Sequence, residues 1–229
     1  MRLEEYGFSA LYHGFVTIDA GEKVKKLSGA VKINEKDRYV LCGCHVNEEG
    51  MAVLHALAVG PDYEHCTRGL GRNQILGLYP MSEVYDCEAR VAEPDSDMVR
   101  KDELFRKNIS VNEDMEQLRL DERLDPFRDV FYPDEVSVQM PLGEVFEETD
   151  VRLTGIRGPL ATGVNLLSLH GCEEGETVLC APFYTPEGMV LCAMAAGGNL
   201  SEMQEALLNE MIVKSEEAGV DFSGFVLRS

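Results

Sequence analysis

Cys42-Gly-Cys44-His45, followed by His55, is the group of side chains in this sequence whose types suit the capture of a metal ion. Tyr39-Val-Leu-Cys-Gly-Cys-His45 and Met51-Ala-Val-Leu-His-Ala-Leu-Ala-Val59 are apolar runs of strand length, and Asn47-Glu-Glu-Gly50 between them carries turn chemistry, so a hairpin is expected. If Val46 faces Met51 across that turn, Cys42 stands opposite His55. Cys44 then shares their face, because strand side chains alternate. Two sulfurs and one imidazole are ligands that select zinc over magnesium or calcium, and His65-Cys66 offers a fourth donor close in sequence. In the same register His45 points to the opposite face and takes no part. The competing reading makes these residues plain core, since cysteine is among the residue types most often buried in strands. Zinc is therefore the alternative to no cofactor at all.

Other constellations point less far. His170-Gly-Cys172 has the residue types of a thiol nucleophile and its base, but Gly171 and Glu173-Glu-Gly175 predict a turn, and nearby carboxylates raise a thiol pKa. Gly69-Leu-Gly71-Arg-Asn-Gln lacks both the third glycine of a dinucleotide fingerprint and the Gly-Lys-Ser/Thr of a phosphate loop. Acidic pairs such as Asp121-Glu122 and Asp134-Glu135 are too common in this chain to single one out as general acid and base.

The elements that must position these residues read as α+β. Thr177-Val-Leu-Cys-Ala-Pro-Phe183, a Thr185-Pro-Glu-Gly188 turn and Met189-Val-Leu-Cys-Ala-Met-Ala195 predict a second hairpin, and Ser201 with Gln204 forms a capping box for a helix ending at Gly219. The two hairpin blocks align without a gap, Val40-Leu41-Cys42 on Val178-Leu179-Cys180 and Glu49-Gly50-Met51 on Glu187-Gly188-Met189, which suggests an internal duplication. Strands are also expected near 12–18, 30–33, 84–91, 136–140, 151–156 and 163–169. Charge accumulates from Glu93, where helices are expected over 97–107 and 111–124. The organisation expected is an N-terminal α+β unit over 1–92, a charged helical connector over 93–135 and a C-terminal α+β unit over 136–229; the two β-rich halves either stand apart or pack as one domain. The stretch from Tyr184 to Ala218, a hairpin and an acidic amphipathic helix, is similar in pattern to type III secretion chaperones and related small acidic regulators. That resemblance implies a binding role and carries over no functional residue.

Composition limits the partners. The chain has 229 residues, 41 acidic against 21 basic side chains and a formal net charge of -20, which repels phosphate backbones and anionic headgroups. The lysines at 23, 25, 26 and 32 sit among acids and read as a solvated face. No nucleic-acid or membrane partner is expected. Seven cysteines without a framework, an acidic N-terminus and no apolar run of about twenty residues predict a cytoplasmic protein with reduced thiols. The function expected from these features is a non-catalytic, cytosolic protein-binding module, an adaptor or chaperone-like regulator that binds a protein partner and forms a homo-oligomer. The alternative is a metal-binding protein or enzyme using the Cys42, Cys44 and His55 face.

Overall fold

The structure is a computed structural model that describes residues 1–27, 34–68, 77–107, 109, 112–142, 145–157, 160–169, 171–185 and 188–196. The expected strand at 30–33, the Gly69–Gln74 loop, His170, Ser110 and the capping box at Ser201 lie outside the described residues. The chain divides into two compact units. The first takes the described residues up to 109 with Arg119–Pro126 and Val130–Pro133; the second takes Asn112–Leu118, Phe127–Asp129 and the described residues from Asp134 on. Residues 93–135 are thus shared between the two units. The coarse expectation of a mixed, β-rich chain holds, and among the described residues no helix is long and apolar enough to cross a membrane.

The first unit is an antiparallel sheet of β1 (Phe15–Asp19), β2 (Tyr39–Val46), β3 (Ala52–Gly60), β4 (Gly77–Pro80) and β5 (Ala89–Val91), in the order β4-β3-β2-β1-β5. Short helices α1 (Phe8–Leu11), α2 (Val24–Leu27) and α3 (Tyr63–Thr67) accompany it, with a longer α4 (Ser96–Arg106). All nine residues of β3 are buried, as are seven of the eight in β2. An antiparallel pair buried on both faces loses the alternation of apolar and polar residues that normally marks its inner side. One face packs Val16, Ile18, Cys42, Cys44, Leu54 and Ala56 into the main core. The other packs Leu41, Leu57 and Ala58 against Cys66 of α3 and Met98 of α4.

The register of the first hairpin is offset by one residue from the pairing the sequence predicts. Val46 pairs with Ala52, not Met51. Asn47 causes the shift, because its backbone N–H donates to Met51 O at 3.0 Å while its side-chain oxygen accepts from the Met51 and Glu49 N–H groups at 2.9 and 3.0 Å. Asn47 therefore belongs to the ladder and to the turn at once, and Gly50 completes the turn at φ 81°. A one-residue change of register exchanges the faces of a strand. Gly43 now pairs with His55 and Cys44 with Leu54, until a bulge at Leu57 shifts the pairing to Leu41 with Ala58.

Helix α4 starts where its cap dictates. Asp95 has extended backbone and its carboxylate accepts from the Asp97 and Met98 N–H groups, both at 3.1 Å. Met98, Asp102 and Phe105 follow at helical spacing, so they share one stripe, and Met98 and Asp102 are fully buried. The second expected helix is shorter than the 111–124 predicted for it: α5 covers Glu113–Leu120, followed by a 3-10 turn over Glu122–Phe127.

The second unit is a closed barrel of β6 (Glu135–Leu142), β7 (Val145–Arg157), β8 (Leu160–Asn165), β9 (Thr177–Thr185) and β10 (Gly188–Ala195). Neighbours in the chain pair antiparallel, and β10 closes on β6 in parallel at Cys192 and Gln139. A Cβ at Gly163 would stand 2.4 Å from Val151 Cγ1 and 2.7 Å from Arg152 O, so this crossing of β8 over β7 admits only glycine. Hairpins β9–β10 and β2–β3 differ in register. Cys180 pairs with Ala193, whose counterpart in the first block is His55, whereas Cys42 pairs with Ala56. One hairpin lies in a five-stranded sheet and the other in a barrel.

Candidate metal centre

Three elements of the first unit converge on one carboxylate. His45 on β2 and His55 on β3 both reach Asp102 Oδ1, His45 through Nε2 at 2.7 Å and His55 through Nδ1 at 2.9 Å. His45 and His55 are 2 % and 1 % exposed and Asp102 is 0 % exposed. Gly43 makes the meeting possible. It pairs with His55 and lies two residues from His45, and a Cβ there would come within 2.4 Å of Asp102 Oδ1. The Asp102 side chain thus fills the place that any larger residue at 43 would take. Phe105, one helical turn on, covers the imidazoles, with its ring centroid 4.2 Å from that of His55 and 5.2 Å from that of His45.

The electrostatics fix the protons. Burial alone would push the Asp102 carboxyl up, but hydrogen bonds from His45 and His55 and the attraction of their charge outweigh it and hold the pKa down at about 2. A carboxylate only accepts, so His45 donates through Nε2–H and His55 through Nδ1–H. With Nδ1 turned to Asp102, Nε2 is the remaining ring nitrogen of His55, and this buried atom has no hydrogen-bond partner. Asp102 Oδ2 is buried without one too; Arg106 Nε lies 3.7 Å away, beyond hydrogen-bond reach. Buried polar atoms left in this state cost about 1–3 kcal/mol each. The cluster therefore carries unused donor capacity for a cation in a dry setting.

His45, His55 and Asp102 have the composition of a metal site. Each offers one ligand atom and these atoms lie within 4.8 Å of one another, near enough that small side-chain shifts, with loss of the protons now joining the imidazoles to Asp102, would place them around one ion. Two imidazoles and one carboxylate suit zinc or iron(II) better than calcium or magnesium, which prefer oxygen ligands.

The expected ligand set is only partly brought together. His55 is in the cluster, but Cys42 and Cys44 face the main core on the other side of the sheet. Their thiols are poor metal ligands there, because burial raises the Cys42 pKa well above its usual range and the Cys44 pKa to about 12. His45, expected to point away, is a full member of the cluster; the register shift set by Asn47 is the reason. His65 holds Asp62 through Nδ1 at 2.8 Å, and Cys66 is buried with its Sγ donating to Tyr39 O at 3.4 Å. Cys172 is buried, and its pKa rises to about 11 through burial and Glu176, which is not the setting of a nucleophile. Asp102 and Gly43 were not singled out in the sequence, although an acid in phase with Met98 and Phe105 on a helix stripe is a legible signal of a buried carboxylate.

No family model, curated protein or solved structure matches this chain.

Proposed function

We propose that the first unit is a metal-binding domain that holds one divalent transition-metal ion through His45, His55 and Asp102. The observation that carries this reading is the convergence of two imidazoles and one ionised carboxylate, all buried, with His55 Nε2 and Asp102 Oδ2 unused. Buried charge is retained in proteins when it is paired or coordinates a metal, and here the pairing is incomplete. A surface of net charge -20 also raises the local concentration of cations. Three protein ligands leave a tetrahedral ion one further position, the pattern of zinc sites that are not closed by protein alone. The adaptor reading keeps its original support, the net charge, and gains nothing from the side-chain arrangement described above.

Elemental analysis of the purified protein after zinc loading and desalting tests the proposal. About one equivalent of zinc is expected in the wild type and in Cys42→Ser, and a large loss in His55→Ala and Asp102→Ala. Zinc retained in all of these variants, or in none of the proteins, contradicts it.

A further inference from the structure

We infer that Arg106 sets the affinity of this centre, as a positive charge that balances Asp102 in the metal-free protein and opposes the entry of a divalent cation; the inference rests on the metal-binding reading above. Asp102, Phe105 and Arg106 stand at i, i+3 and i+4 on α4, so arginine and carboxylate share one side of the helix. Arg106 Nε lies 3.7 Å from Asp102 Oδ2, the oxygen that no hydrogen bond satisfies. At that separation the two form an ion pair without a hydrogen bond. The Asp102 side chain is 0 % exposed and that of Arg106 is 29 % exposed, so most of the arginine is also withdrawn from water. A guanidinium keeps its proton throughout the range in which proteins fold. Its charge beside Asp102 is therefore permanent, and salt screens it much less than it screens an exposed pair.

That charge weakens the binding of any cation at the centre. An ion bonded to Asp102 Oδ2 at about 2 Å lies within about 6 Å of Arg106 Nε, the sum of that bond and the 3.7 Å separation. Over such a distance a unit charge and a divalent ion repel strongly enough to change a binding constant about tenfold, even at the dielectric constant of water. The repulsion is the same for every divalent ion, whereas the bond to two imidazoles is not. It therefore leaves zinc bound while it removes ions that imidazole holds weakly, magnesium and calcium among them. Arg106 has a second setting to be separated from this one, the last turn of α4, where a cation suits the partial negative charge of a helix C-terminus. Lys107, the C-cap residue, shares that setting but is exposed. The two neighbours thus distinguish a charge beside Asp102 from a charge on the helix end.

Zinc affinity measured by competition with a chromophoric chelator, alongside the melting temperature of the metal-free protein, tests the inference in wild type, Arg106→Gln, Arg106→Lys, Lys107→Gln and His55→Ala. Arg106→Gln should bind zinc about tenfold more tightly or better. Its metal-free form should melt no higher than the wild type, because Asp102 loses the cation beside it. A merely structural arginine predicts the reverse, since damage to the fold lowers affinity and melting temperature together. Arg106→Lys keeps the charge, and Lys107→Gln makes the same change in net charge at the surface, so both should bind zinc with wild-type affinity, while His55→Ala loses stoichiometric binding. Wild-type or weaker affinity in Arg106→Gln overturns this inference and leaves the three-ligand centre standing. Equal tightening in Lys107→Gln assigns the effect to overall charge and overturns it, as does equal tightening in Arg106→Lys. A metal-free Arg106→Gln that melts above the wild type overturns the balancing role. A wild type that binds no zinc removes both readings.

Discussion

Gly43 and Asp102 compete for one volume: a Cβ on the glycine would stand 2.4 Å from Asp102 Oδ1 and 2.8 Å from its Cγ. Since Asp102 is the group that both histidines contact, this glycine sets the position of α4 over the sheet. Gly43→Ala should displace the carboxylate and destabilise the protein by about 1–3 kcal/mol, as overpacking of a buried site does. Chemical denaturation checks the loss, and zinc titration of the same variant should show weaker binding. Unchanged stability and affinity would mean that Asp102 does not depend on the space at residue 43.

Asp102 also makes stability depend on pH. Its folded-state pKa is held at about 2 against an ordinary 3.8, so the unfolded chain binds this proton first. The resulting stabilisation is present above pH 4, falls as the pH drops from about 4 towards 2, and amounts to roughly 2 kcal/mol from a shift of that size. Asp102→Asn removes the titrating group, so metal-free stability measured over this interval should fall less steeply than in the wild type. Equal slopes would show that other carboxylates govern the acid limb. Asp102→Ala goes further and leaves two buried imidazole donors unpaired, at about 1–3 kcal/mol each.

The cysteines provide an independent check on the register. Cys87 is partly exposed, whereas the six other cysteines are buried, and burial raises the Cys44, Cys66, Cys180 and Cys192 thiols to about 12. Mass spectrometry after brief alkylation of the native protein should find Cys87 modified first and Cys42 and Cys44 protected. Rapid labelling of Cys42 or Cys44 would place them on an open face and contradict the sheet described here.

The turn at Gly50 separates backbone strain from packing. Its φ is 81° and a Cβ there meets nothing within 4 Å, so replacement acts through conformation alone. Gly50→Val should cost about 1–3 kcal/mol and Gly50→Asn distinctly less, because asparagine tolerates the left-handed region. Thermal unfolding of the pair checks the order, and equal costs would rule out a left-handed Gly50.

Much of this architecture is legible in residues. The Asn47–Gly50 turn, the two apolar runs around it, a helix near 97–107 and parts of the barrel strands, 136–140 and 151–156 among them, follow from local chemistry. The register was not legible, because β2 and β3 are buried on both faces and Cys, Val, Leu and His carry no alternation that would choose between pairings offset by one residue. The choice fell to Asn47, whose double role as strand residue and turn acceptor is a matter of three-dimensional geometry. That single residue decided which side chains could meet: it turned His45 towards His55 and Cys42 and Cys44 towards the core. Asp102 lies 47 residues beyond His55, and no local pattern links them. Its membership depended on α4 packing over Gly43, a long-range contact that only the fold supplies.

The absorption spectrum of the cobalt(II)-loaded protein tests the central claim most directly. Cobalt takes zinc-type sites, and thiolate ligands add intense charge-transfer absorption in the near ultraviolet that imidazole and carboxylate do not. One equivalent of cobalt should give visible ligand-field bands without that absorption, with bands unchanged in Cys42→Ser and lost in His45→Ala. A strong near-ultraviolet band that disappears in Cys42→Ser would contradict the His45–His55–Asp102 centre, as would the failure of cobalt to bind at all.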